Sequence, residues 1–120
     1  MKLRIKGNSV RLRLTRREVE RAGQGHTVEE VVQFGTGTQD FTYALEPSAA
    51  ADDVKAEYSS GRITVKVPSG SAAEWAASDL VAIANAEGTP AILIEKDFVC
   101  SNARPEEDEA EMYPNPGAVA

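Results

Sequence analysis

Residues Asp53 to Pro68 read D-V-K-A-E-Y-S-S-G-R-I-T-V-K-V-P, and this stretch decides the fold class. Val54, Ala56 and Tyr58 alternate with Lys55 and Glu57. Beyond Ser59-Ser60-Gly61, Ile63, Val65 and Val67 alternate with Arg62, Thr64 and Lys66. Successive side chains of a strand point to opposite faces, so the pattern predicts a hairpin with one apolar and one polar face. Pro68 has no N–H to donate and ends the second strand. The apolar face needs a second layer over it, which makes the chain β-rich around this hairpin.

Upstream, Phe41, Tyr43 and Leu45 alternate as a strand that Glu46-Pro47-Ser48 ends, and Ala49 to Asp52 connects it to the hairpin. Val28 to Phe34 is a further strand, with Val28, Val32 and Phe34 on one face and Glu29, Val31 and Gln33 on the other. Gly35-Thr-Gly37-Thr is a loop, too short for a phosphate cradle and followed by a strand rather than a helix. Lys2 to Leu14 forms another hairpin: a two-residue Gly7-Asn8 turn sets Ile5 opposite Val10 and Leu3 opposite Leu12. The same register opposes Arg4 to Arg11 and Lys2 to Arg13, so an acidic group is expected near that face. Thr15-Arg-Arg-Glu18 is a capping box that opens a short accessory helix, with Val19 and Ala22 turned inward.

Downstream, Ser71-Ala-Ala-Glu74 is a second capping box for a helix carrying Trp75. Leu80 to Ala86 fits either a helix or a buried strand; the strand is favoured because Glu87-Gly-Thr-Pro90 turns the chain and Ala91 to Val99 pairs back. Ile92-Leu93-Ile94 is a run suited to a strand covered on both faces. No internal repeat and no linker is visible. Residues 1–100 form a single β-rich domain and residues 101–120 an irregular acidic tail.

The chain has 120 residues, 42% hydrophobic and 27% charged, an ordinary globular composition large enough for one modest core. The opening M-K-L-R-I-K lacks the apolar run of a signal peptide, and no segment has the apolar length of a membrane span. A single cysteine, Cys100, excludes an internal disulfide and points to the cytoplasm. Charge is divided along the chain. Eight basic residues (Lys2, Arg4, Lys6, Arg11, Arg13, Arg16, Arg17, Arg21) against Glu18 and Glu20 give +6 over residues 1–21; with −6 overall, the remainder carries −12.

Phe41-x-Tyr43-x-Leu45-x-Pro47 followed by Val54-x-Ala56-x-Tyr58-x-x-Gly61-x-Ile63-x-Val65-x-Val67-Pro68 resembles the second half of the α-crystallin domain of small heat-shock proteins. Ile92-x-Ile94 is similar to that family's C-terminal I-x-I anchor. The resemblance implies an immunoglobulin-like β-sandwich that dimerises and holds unfolded clients. The departures are the helix after the first hairpin, the capping box after Pro68 and the lack of an N-terminal arm. The whole chain also resembles a small family of uncharacterised bacterial proteins, through Met1 to Leu14, Ile94 to Cys100, and the acidic Pro-Asn-Pro end from Glu106 to Pro116. That likeness implies no activity.

Among chemical constellations, Asp97 and Cys100 beside the carboxylates of residues 106–111 could ligate a metal, yet zinc sites normally pair Cys or His at short spacing. Cys100 as a nucleophile would need a base such as His26, which lies far upstream. Lys2, Arg4, Lys6, Arg11 and Arg13 share one hairpin face that suits phosphate contacts, though no aromatic stacks among them.

The expectation is therefore a β-rich α+β domain, an antiparallel β-sandwich or partly open barrel with two short helices. The leading function is a non-catalytic protein-interaction module, a homodimer or a binder of another protein, with no cofactor. Nucleic-acid or polyanion binding at the basic face and metal-dependent activity at Asp97 and Cys100 are the rival readings.

Overall fold

A computed structural model describes residues 1–35 and 39–98. The chain runs β1 (Lys2–Lys6), β2 (Ser9–Leu14), α1 (Arg16–Gly23), β3 (Val28–Gln33), β4 (Asp40–Ser48), β5 (Lys55–Ser59), β6 (Arg62–Pro68), α2 (Ser69–Ala77), β7 (Ala82–Ala84) and β8 (Ala91–Lys96). It is a β-rich α+β fold with two short helices, and its two four-stranded sheets do not close into a barrel. One sheet has the order β1-β2-β8-β7, the other β3-β4-β6-β5.

The hairpins take the registers their turns dictate. Leu3 faces Leu12 and Ile5 faces Val10 across Gly7-Asn8. Ala56 faces Val65 and Tyr58 faces Ile63 across Ser60-Gly61. Both residues of the second turn have positive φ (Ser60 51°, Gly61 75°), the geometry whose twist suits a two-residue hairpin loop. Val65, Val67, Ile92 and Ile94 are buried in one core with Ile63 packed against it. The Leu80–Ala86 segment contributes a short strand that pairs antiparallel with β8, Ile83 opposite Ile94.

The sheets are mixed rather than purely antiparallel. Their central pairs, β2 with β8 and β4 with β6, run parallel. An all-antiparallel arrangement of the immunoglobulin kind is therefore not the one adopted. The order of elements explains why: ββαββ occurs twice, and each unit lends its second hairpin to the other unit's sheet. One constant shift in residue number carries Leu3–Leu12 onto Ala56–Val65, Leu14 onto Val67, Val19 onto Ala72 and Gly23 onto Ala76. The parallel pairs also correspond, Val10–Ile92 with Ile63–Tyr43 and Leu12–Ile94 with Val65–Leu45, although the second hairpins are offset by a shift four residues smaller. The fold is thus an internal repeat with approximate two-fold topology, contrary to the reading of the sequence. The two halves share patterning rather than residue identity, which conceals the repeat in the letters.

The helices meet where the two units do. Val19 and Ala22 of α1 and Ala72 and Trp75 of α2 are buried together. A Cβ on Gly23 would collide with the methyl of Ala76, so the close approach of the helices needs glycine there. Far from accessory, α1 is half of the core's centre. Its capping box forms as expected: Thr15 Oγ1 accepts from the Glu18 amide, and Glu18 Oε1 accepts from the Thr15 amide at 2.9 Å. The second box does not form. Helix α2 starts immediately after Pro68, whose side chain offers no cap, and Ser71 already lies inside it. The β4–β6 ladder runs as far as Pro68, so the helix must begin at once to bring Ala72 and Trp75 into the core. The Trp75 indole N–H is satisfied by the Val81 carbonyl at 3.1 Å.

Candidate functional site

Lys2, Arg4 and Lys6 leave one face of β1, and Arg11 and Arg13 leave the same face of β2, because the hairpin register opposes them. The sequence-predicted basic residues are brought together. The acid expected beside them is Glu95, delivered by the parallel register that sets it next to Arg13. Arg13 donates to Glu95 Oε1 from Nε at 3.1 Å and Nη2 at 3.0 Å, and both side chains are 14% exposed. Arg11 Nε lies 4.0 Å from the same oxygen, and Lys2 Nζ 3.4 Å from Asp97. Five cations thus meet two carboxylates on this face among the described residues.

Asp97 is engaged by Lys2, and its amide donates to the Leu14 carbonyl at 2.8 Å. Cys100 and the carboxylates of residues 106–111 lie outside the described residues. Among the described residues, no three His, Cys, Asp or Glu side chains gather as a metal site would require. His26 is exposed in the loop after α1, its amide bonded to the Arg21 carbonyl.

Two further clusters went unread in the sequence. The Met1 ammonium donates to Glu18 Oε2 at 2.6 Å and Glu30 Oε2 at 3.3 Å, while Tyr43 donates its hydroxyl to the Met1 carbonyl at 3.0 Å. Burial would pull the ammonium pKa down, but the hydrogen bonds to Glu18 and Glu30 outweigh it and hold it above 8.0. Burial likewise pushes Glu18 up, and the ammonium and the Thr15 bonds prevail to hold it below 4.5. At the corresponding point of the second unit, Asp53 accepts from the amides of Val54 at 2.8 Å, Ala86 at 3.2 Å and Glu87 at 3.4 Å. The backbone donors, Ala86 first and then Val54, keep its carboxyl below 3.8.

Asp53 stands beside a cleft of about 460 Å³ lined by Val54, Lys55, Glu57, Lys66, Asn85 and Thr89 among others. Its polar groups are largely committed to structure. Asn85 donates to the Pro90 carbonyl and accepts from the Ile92 amide, closing the β7–β8 turn, and Lys66 pairs with Glu57 at 3.1 Å. The cleft therefore serves the fold before it serves any ligand.

The remaining conspicuous surface is apolar. Val31, Val32 and Phe34 are 51%, 40% and 69% exposed on β3 and just past its end. β3 is an outer strand of its sheet, paired with β4 alone among the described residues. The signal was present in V-E-E-V-V-Q-F, where two consecutive valines break the alternation and put an apolar side chain on each face.

The profile of DUF7009 matches residues 1–117. The chain belongs to this family. DUF7009 is a family of unknown function. No curated protein and no solved structure matches the chain. The DUF7009 match covers both ββαββ units and extends through the acidic stretch after Arg104, so that stretch is part of the family unit. Among the described residues, no helix is long and apolar enough to cross a membrane.

Proposed function

We propose that the protein is a non-catalytic protein-interaction module, working as a homodimer or in complex with another protein. The observation that carries this reading is the exposed Val31, Val32 and Phe34 on the outer strand of a sheet. An outer strand offers unpaired backbone groups, and apolar side chains there gain by leaving water when another chain covers them. The single cysteine fits a reducing, cytoplasmic setting for such a module.

The test is an NMR concentration series on labelled protein, followed by addition of extract from cells lacking it. Resonances of Val31, Val32 and Phe34 are expected to shift or broaden first. Absence of change at β3 in both experiments overturns the reading.

A second reading has its own observation: five cations on one face of β1 and β2, opposed by Glu95 and Asp97. This face would bind a polyanion through phosphate or sulfate contacts, with affinity falling as salt rises. Salt-dependent retention on heparin, and its loss in Lys2→Ala/Lys6→Ala, is the measurement; retention unaffected by either change removes this reading.

A further inference from the structure

Among the described residues the two sheets present four free edges, β1 and β7 in one, β3 and β5 in the other. A free edge is a template for another strand, and folded proteins usually obstruct it. Two are obstructed, and a third is flanked by a cleft. β1 carries Lys2, Arg4 and Lys6 on one face, so antiparallel pairing with its own copy would set cation against cation in every register. β7 has only three residues. β5 runs beside the cleft whose other wall is the β7–β8 turn, where Asn85, Glu87 and Thr89 stand. β3 has six residues and no such obstacle.

We infer that β3 pairs antiparallel with β3 of a second copy, across a two-fold axis at Val31, joining two four-stranded sheets into one. This inference rests on the protein-interaction reading and names its partner and surface. The charge pattern selects the register. A two-fold axis perpendicular to the sheet keeps like faces together, so residues pair only with residues of their own face. An axis at Glu29 or Glu30 would oppose a carboxylate to itself. An axis at Val31 sets Val31 against Val31, Glu29 against Gln33, Glu30 against Val32 and Val28 against Phe34. That register opposes no like charges and uses the whole strand. An axis at Val32 shortens the ladder and turns Glu30 onto Phe34. Glu29 is in addition met within its own chain by Arg62 at 3.2 Å, and Glu30 by the Met1 ammonium at 3.3 Å. The strand is therefore self-complementary, which favours a second copy over an unrelated strand.

The experiment is register-specific cross-linking in a Cys100→Ser background. Directly opposed residues of an antiparallel pair lie within the Cα separation that a disulfide spans. Val31→Cys is expected to give a disulfide-linked dimer on mild oxidation. Gln33→Cys alone is expected to stay unlinked, and to link once mixed with Glu29→Cys. In parallel, Val31→Lys opposes two lysines at the axis and should weaken dimerisation roughly tenfold or more by light scattering. Val31 is exposed, so the variant should keep its circular dichroism. A chain that dimerises while Val31→Cys links no faster than Gln33→Cys overturns the β3 inference and leaves the interaction reading standing. A chain that is monomeric at every concentration also overturns the inference, and the response of β3 to cell extract then decides the reading.

Discussion

The two ββαββ units solve one problem with different chemistry. Each must pin the start of its first strand to its own second hairpin, which lies in the other sheet. In the first unit a charge does this: the Met1 ammonium sits between Glu18 and Glu30, with Tyr43 on its carbonyl. In the second unit, where Val54 corresponds to Met1, the Asp53 carboxylate gathers three backbone amides, two of them from the β7–β8 turn. The helices differ likewise. α1 has a complete capping box and α2 has none, while the one large helical side chain in the core, Trp75, comes from α2 at the position corresponding to Ala22. The lesson is that topology is shared but local stabilisation is not. The first unit's helix is capped and its anchor is an ion pair, while the second unit's helix brings a buried indole and its anchor is a carboxylate on backbone amides.

Breaking the burial side should have the largest effect. Trp75→Ala removes a fully buried indole and should cost about 3–5 kcal/mol, against much less for Ala22→Gly, as measured by urea unfolding followed by circular dichroism. Equal losses from the two changes would show that the helices contribute alike. Next comes the contact between units. Gly23→Ala forces the helices apart at Ala76 and should cost about 1–3 kcal/mol, despite alanine's better helix propensity. A stabilised Gly23→Ala variant would mean the helices separate freely.

The leucine and valine registers of both hairpins were legible because a two-residue turn and a period of two determine them locally. The Thr15–Glu18 cap was legible for the same reason, as was a helix carrying Trp75 after Pro68; the burial of Trp75 came only with the structure. The basic cluster followed from the first hairpin's register. Its acidic partner did not, because Glu95 reaches Arg13 only through a parallel ladder between distant segments. The Ser71–Glu74 pattern was present but idle, since β6 delivers its helix three residues earlier. Phe34 was assigned to a strand face without any sign that this strand would stand at the sheet's edge.

A subtler separation of the units should appear with pH. Asp53 and Glu18 both have carboxyls held below their ordinary values, so the stability they add is present above about pH 4–4.5 and lost on further acidification. The Met1 ammonium is held above 8.0, so its contribution is full below that pH and lost as pH rises through the raised value. Alkaline melting curves should therefore register the first unit's anchor alone. Glu18→Gln is expected to flatten the alkaline decline, whereas Asp53→Asn should leave it intact and reduce the acid decline. An alkaline decline that persists unchanged in Glu18→Gln would assign it elsewhere.

The smallest effect concerns the charge that divides the chain. Deleting residues 105–120 removes Glu106, Glu107, Asp108, Glu109 and Glu111, and so lessens the repulsion of any polyanion approaching Lys2, Arg4, Lys6, Arg11 and Arg13. Heparin retention at low salt should rise and the difference should shrink at high salt. Identical elution of both proteins at all salt concentrations would separate the acidic stretch from the basic face.

What the sequence alone determined about this protein is local: which segments are strands, how each hairpin is registered, where α1 begins, and which faces are apolar. Those follow from side-chain period, turn geometry and capping, all set by residues a few positions apart. The tertiary structure decided the parallel pairs β2–β8 and β4–β6, the exchange of hairpins between two ββαββ units, the meeting of Gly23 with Ala76, and the outer position of β3. Parallel partners are joined through long connections, and an apolar strand face accepts any neighbour that covers it. Only the simultaneous burial of both units' apolar faces in one core selects which strands become neighbours, and so which edges are left open.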